Sequence, residues 1–184
     1  MRLFIAAEID DKNKKLIHRI QEKFKGASTG GNFTRSENYH ITLRFLGDIN
    51  TDLIPKIIFA MERAAEGSSR FDFSAGRCGY FSRREGVILY LGIDRGSENL
   101  WKISSALNEE LLKSGFPREN EIFTPHITLG RKVRLRKDFH LISEDIDMSE
   151  INVFCSSISL MESTREKGLL CYKSVKSVNL NCDI

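Results

Sequence analysis

The chain has 184 residues, 41% hydrophobic and 29% charged, with 28 Lys and Arg against 25 Asp and Glu for a net charge of +3. That is the make-up of an ordinary soluble globular protein, long enough for one domain or two small lobes sharing a core. The mild positive balance admits an anionic substrate but does not by itself argue for nucleic acid, and no run approaches the ~20 apolar residues that cross a bilayer.

Residues 2–8 read as a strand, nearly all apolar and so buried on both faces. Glu8 and Asp10 end this run too soon for it to be a signal-peptide core. Asp10 or Asp11 caps a helix carrying Leu16, Ile17, Ile20 and Phe24 on one stripe, with His18 off the stripe and facing water. The Gly- and Ser-rich residues 25–32 read as a loop, and Phe33 and Thr34 resume a short strand. After a turn over 35–38, a strand from His40 stops at Gly47. A helix over 52–66 buries Leu53, Ile54, Ile57, Ile58, Met61 and Ala65, with Pro55 in its first turn and Gly67 as its stop. Residues 71–78 and 87–93 read as strands joined by a hairpin loop. Ser97 caps a third helix to about 114, buried along Leu100, Ile103, Leu107 and Leu111, with Trp101 expected in its packing. Pro125 marks entry into a strand at His126. The following residues 131–137 hold five basic side chains in seven, either a solvated connector or a grip on an RNA backbone. His140 has no partner pattern, and 151–163 and 171–180 read as two late strands.

One tetrapeptide occurs twice. His40-Ile41-Thr42-Leu43 recurs as His126-Ile127-Thr128-Leu129, 86 residues later, and these hold two of only four histidines. In a strand, His40 and Thr42 share one face, and Ile41, Leu43 and Phe45 take the other. Arg44 then falls on the His40 face, where it can help hold an anion. Two such strands side by side floor a cleft with two imidazoles and two hydroxyls. Imidazoles titrating near pH ~6.5 can share acid and base roles. Hydroxyls can hold non-bridging phosphate oxygens. This is a set for phosphate-ester chemistry without a metal. The element order, with the motif once per half, predicts an antiparallel-rich α+β fold with helices outside and a concave sheet face inside.

The motifs and their surroundings resemble the two-histidine phosphoesterase superfamily. Residues 36–47 and 124–131 are similar to the two signatures of its bacterial and archaeal 2′-5′ RNA ligase branch. Residues 2–6, 89–93 and 160–172 resemble other strands of that branch, so the likeness covers nearly the whole chain. It implies a single bilobed domain over 1–184, with two pseudo-symmetric sheet lobes and a central cleft carrying both motifs. It implies hydrolysis of a terminal RNA 2′,3′-cyclic phosphate to a 2′-phosphomonoester, with reversible ATP-independent 2′-5′ ligation beside it. His40 would be the proton donor and His126 the acceptor; the residues alone leave that assignment open. Thr42 and Thr128 would bind the phosphate, with Arg131 a further candidate that strict alternation puts on the wrong face. Neither cofactor nor metal is expected. The partner is an RNA with a cyclic-phosphate end, such as a tRNA fragment, met by a monomer.

Other readings make different demands. A non-catalytic RNA-binding module would use residues 131–137 and leave the cyclic phosphate intact. A zinc site from His40, His126 and a Cys or His140 lacks ligands at short metal spacing. An ATP-dependent ligase would need a phosphate-binding loop or a Lys-x-Asp-Gly motif, and neither is present. Cys78, Cys155, Cys171 and Cys182 are scattered and read as reduced thiols, which points to the cytoplasm. A bell-shaped pH dependence near neutrality is expected.

Overall fold

A computed structural model describes residues 1–119 and 122–182. The strand β1 (Arg2–Glu8) leads through Asp10 into α1 (Asp11–Gly26), where the Asp10 side chain accepts from the Asn13 amide at 3.0 Å. β2 (Ser28–Phe33) and a 3₁₀ turn at Ser36–Asn38 precede β3 (His40–Asp48), which carries the first motif. α2 (Ile54–Glu66), the hairpin β4 (Phe71–Arg83) and β5 (Gly86–Ile93), and α3 (Ser97–Lys113) follow. The second motif opens β6 (His126–Leu135), and the chain closes with α4 (Phe139–Ser143), β7 (Asn152–Cys155), β8 (Ser157–Glu166) and β9 (Leu169–Asn179).

The strands pair antiparallel in the order β7-β4-β5-β6-β3-β1-β8-β9, with β2 laid against β6. β7 and β8 stand far apart in that order yet are joined through Ser156 alone, so the sheet must curl. Backbone bonds from Leu180 to Ser156 and between Asn181 and Ser68 tie the ends together. One face of the curl is packed with Leu3, Ile5, Ile41, Leu43, Leu89, Leu91, Ile127 and Leu129 against the apolar stripes of the helices. The other face is open and holds a small separate cluster of Phe4, Ala6 and Met161.

The sheet has two halves that meet where β3 and β6 pair, at Ile41 opposite Ile127. These are the second residues of the two motifs, so an approximate two-fold axis passes between them. About that axis β1-α1-β3 corresponds to β5-α3-β6. The register repeats as well: His40 pairs with Glu8 and Thr42 with Ala6, while His126 pairs with Gly92 and Thr128 with Tyr90. The α+β bilobed architecture expected from the motif spacing is therefore present.

Five local expectations change. Gly96 rather than Ser97 stands at the cap of α3. Residues 151–163 divide at Ser156 into β7 and β8 instead of forming one strand. Residues 28–33 form a strand rather than a loop, because β2 lies too close to β6 for side chains: a Cβ on Gly31 would meet the Val133 Cα at 2.8 Å. The basic run does not begin a connector, since β6 continues through it to Leu135. Trp101 is not packed within its helix but is 55% exposed, lining a shallow pocket with Lys102 and Pro125.

Candidate active site

Both motifs carry the same irregularity. Ala6 pairs with Thr42 but Ile5 pairs with Arg44, so Leu43 is an extra residue in β3. Tyr90 pairs with Thr128 but Leu89 pairs with Gly130, so Leu129 is the extra residue in β6. A β-bulge of this kind reverses the side-chain alternation beyond it. Residues before the bulge keep the expected faces: His40, Thr42, His126 and Thr128 are half-buried on the open side, and Ile41, Leu43, Ile127 and Leu129 are buried.

Beyond the bulge the faces invert, which corrects three expectations. Arg44 does not join the His40 face. It is 5% exposed on the core side, paired with Glu119 at 2.9 Å and donating to the Pro117 carbonyl, so it cannot serve as an anion ligand in the cleft. Phe45 does not enter the core but lies 57% exposed on the open side near Phe4. Arg131, which strict alternation puts on the wrong face, falls on the His126 side, and its charge bears on His40, His126 and Tyr172 alike.

The two imidazoles are held in the same way. His40 Nδ1 donates to the Asn38 carbonyl and His126 Nδ1 to the Thr124 carbonyl, each at 2.7 Å. A carbonyl only accepts, so each neutral ring carries its proton on Nδ1 and leaves Nε2 as the basic atom. The Thr42 hydroxyl donates to His40 Nε2 at 2.9 Å. Extending the Ile41–Ile127 register sets His40 across from Thr128 and Thr42 across from His126, a compact rectangle on one face.

Aromatic rings wall both sides, and the sequence reading singled out none of them. His40 lies 4.9 Å from Phe4 and 5.1 Å edge-on to Tyr172. His126 lies 5.4 Å from Tyr90 and 5.5 Å from Phe81, which stack on each other at 4.5 Å. Tyr90 lies flat because Gly79 opposite has no side chain; a Cβ there would meet the ring at 2.5 Å. The alternation of β1, β4 and β5 held a signal, but an apolar run buried on both sides does not say which face is open.

Burial pushes the His40 imidazole down to about 4, against the pull of the Asn38 carbonyl, and the neighbouring His126, Arg131 and Lys14 push the same way. His126 is also lowered, by burial first and Arg131 after, opposed by the Thr124 carbonyl. Both rings are thus neutral at neutral pH. Among the described residues no three His, Cys, Asp or Glu side chains gather closely enough to hold a metal ion. His140 sits apart on α4 against Phe139, and all four cysteines are free thiols.

Residues 8–89 match the family profile described as LigT-like phosphoesterase. The chain is similar to the RNA 2′,3′-cyclic phosphodiesterase of Thermotoga maritima, 33% identical over 165 residues that cover 89% of this chain and 87% of that one. It is also similar to the protein of the same name from Methanocaldococcus jannaschii, at 29% identity over 96% of this chain and 99% of that one. In fold it is similar to Escherichia coli LigT crystallised with 3′-AMP, with a TM-score of 0.81, 22% identity and 97% of each chain covered.

Proposed function

This chain belongs to the LigT-like phosphoesterase family, and on that premise we propose that it is an RNA 2′,3′-cyclic phosphodiesterase whose product is a 2′-phosphomonoester. The observation that carries the reading is the pair of imidazoles with matching tautomers and Nε2 atoms on one face, backed by Thr42, Thr128 and a cation on Arg131. The cyclic phosphate sits between them. His126 Nε2 takes a proton from the attacking water as its oxygen bonds to phosphorus. The bond from phosphorus to the 3′ oxygen breaks, and His40 Nε2 gives its proton to that oxygen. The Thr42 and Thr128 hydroxyls and the Arg131 guanidinium hold the non-bridging oxygens, where charge builds.

The low proton affinity of His40 fits a donor that is charged by its substrate. An arriving phosphate anion favours the imidazolium, and a proton held against burial is readily given up. With an RNA 5′-hydroxyl in place of water, the same steps and the same roles join a 2′-5′ linkage as the 3′ oxygen leaves; run backwards, the 3′ hydroxyl attacks, that linkage is cleaved and the two histidines exchange roles. Since neither motif is a site alone, residues 1–184 act as one bilobed unit and as a monomer. The substrates are cyclic-phosphate RNA ends such as tRNA fragments. Four free thiols suit the cytoplasm, and no helix among the described residues is long and apolar enough to cross a membrane.

The test is a defined RNA ending in a 2′,3′-cyclic phosphate, followed by end-group analysis. A 2′-phosphate is expected, with turnover lowered roughly 10²–10⁴-fold in His40→Ala and in His126→Ala. A cyclic phosphate left intact while the RNA is bound in a salt-sensitive way would leave the binding-module reading standing instead.

A further inference from the structure

Beyond the catalytic rectangle, the open face of β4, β5 and β6 continues as a strip of a different character from the same face of β1, β8 and β9. Counting from His126 along the open side, the residues are Thr128, Arg131 past the first bulge, and Arg134 past a second bulge at Lys132. Lys132 has a φ of 54°, a left-handed conformation rare for a side-chain-bearing residue, and its ammonium turns away to pair with Glu85. That second bulge restores Val133 to the core and puts Arg134 opposite it, lying over Gly30 of β2.

On the neighbouring strands the open side carries Tyr90, Phe81 and Arg83, and the Arg83 guanidinium folds back to 5.9 Å from the Phe81 ring centre. On the other side of β4, Tyr80 meets the Phe139 ring edge-on at 4.9 Å while staying partly exposed. Arg83, Arg131 and Arg134 are all exposed, and among the described residues none has a carboxylate within ion-pair distance. The arrangement is therefore cation and aromatic interleaved along one sheet face, starting at His126. Arginines that meet phosphates and rings that meet bases are how a sheet holds a single strand without reading its sequence. In lobe one the corresponding face shows Phe4, Phe45, Met161 and Tyr172, with Arg2 as a cation near Tyr172 and Phe45 at the position that Arg131 takes in lobe two.

We infer that this strip is a track for the RNA strand upstream of the reacting end, resting on the function proposed above. A 2′,3′-cyclic phosphate is a 3′ terminus, so the rest of the polymer can leave the site only from the 5′ side of the terminal nucleotide. Lobe two is the half in which three exposed arginines interleave with stacked rings, and the strip is continuous with the phosphate site. From His126 to Arg134 it runs about 20 Å, six steps at about 3.3 Å per strand residue once the two bulged residues are left out. That suits a footprint near the small end of single-strand binders, roughly four nucleotides. The enzyme should accordingly favour oligoribonucleotides over cyclic mononucleotides, which end before reaching Arg83 and Arg134.

The experiment compares a 2′,3′-cyclic mononucleotide with a single-stranded tetraribonucleotide ending in the same group, on the wild-type chain and on Arg83→Ala/Arg134→Ala. The wild type is expected to show at least tenfold higher kcat/KM on the tetranucleotide. The double variant should lose most of that advantage through KM, change less than twofold on the mononucleotide, and have a salt slope on the oligomer shallower by about 1.4, at about 0.7 per lost phosphate contact. An oligomer advantage unchanged in the variant, or absent in the wild type, overturns the track while leaving the hydrolytic reading intact. Equal loss on both substrates also overturns it, because the arginines then act on the fold or the reacting centre. Hydrolysis of neither substrate by the wild type removes the function on which the track rests.

Discussion

The Ser104 hydroxyl donates to the Leu43 carbonyl at 2.8 Å, from a helix that leaves one lobe to a bulge in the other. Its counterpart is Gln21, whose side-chain amide donates to the Leu129 carbonyl at 2.7 Å. α1 follows β1 and braces the second motif, while α3 follows β5 and braces the first. Ser104 and Gln21 are each 2% exposed, polar residues on largely apolar helix faces. A bulged residue loses its place in the ladder, and a buried carbonyl without a partner is expensive. Ser104 supplies a partner to the Leu43 carbonyl, and Gln21 adds a second donor to the Leu129 carbonyl, which also accepts from the Thr34 amide at 2.9 Å; both side chains so hold the point where each strand reverses its faces. Ser104→Ala and Gln21→Leu are each expected to destabilise by about 1–3 kcal/mol, read as a lower urea midpoint. Both should also lower kcat, since the bulges follow directly on the His and Thr side chains proposed to act on the phosphate. Full stability in both variants would show that the bulges hold without them.

Stability should depend on the histidines between pH 7 and pH 4. An unfolded imidazole titrates near pH ~6.5, folded His40 near about 4, and folded His126 is lowered as well. Between those values the unfolded chain takes up protons that the folded chain refuses. The contribution is therefore complete above about pH 6.5 and is lost as pH falls towards 4. Urea midpoints measured at pH 7, 6, 5 and 4.5 should decline more steeply for the wild type than for His40→Ala. Parallel curves would mean that the folded imidazole is not depressed.

Activity should peak on the acid side of the bell near neutrality that unperturbed imidazoles imply. The proposed pairing needs one ring charged and the other neutral, and both are depressed, so kcat/KM is expected to be greatest below pH 6.5. It should fall about tenfold per unit at higher pH. The kcat profile, which reports the complex, should lie at higher pH because the bound anion favours the imidazolium. A kcat/KM profile that is flat from pH 6 to 9 contradicts the pairing.

Two arginines near the motifs should behave oppositely. Arg44→Ala leaves Glu119 without its partner in a partly buried setting. It is expected to cost roughly 2–4 kcal/mol, somewhat less than a fully buried pair because Glu119 keeps some access to water. Arg131→Ala removes an exposed side chain and should leave stability within about 0.5 kcal/mol, while raising KM and lowering kcat/KM on either RNA substrate. Thermal melts and steady-state kinetics on the two variants separate the roles; a stable, KM-impaired Arg44→Ala would return that residue to the cleft.

Much of this protein follows from local pattern alone. The repeated His-x-Thr-Leu, the alternation that sets His40 with Thr42 and His126 with Thr128, and the helix stripes along Ile17, Ile57 and Leu107 all depend on neighbours within a few residues. So does the identity of the chemistry, because imidazoles and hydroxyls on one strand face suit a phosphate wherever that face points. What lay beyond the sequence was decided by strand pairing. Leu43 and Leu129 are extra residues only with respect to β1 and β5, and the reversal they cause sends Arg44 into the core and brings Phe45 and Arg131 into the cleft. The glycines of β2 read as a loop until Val133 occupies the space their side chains would need. A bulge is a mismatch between two strands, and neither strand by itself encodes it.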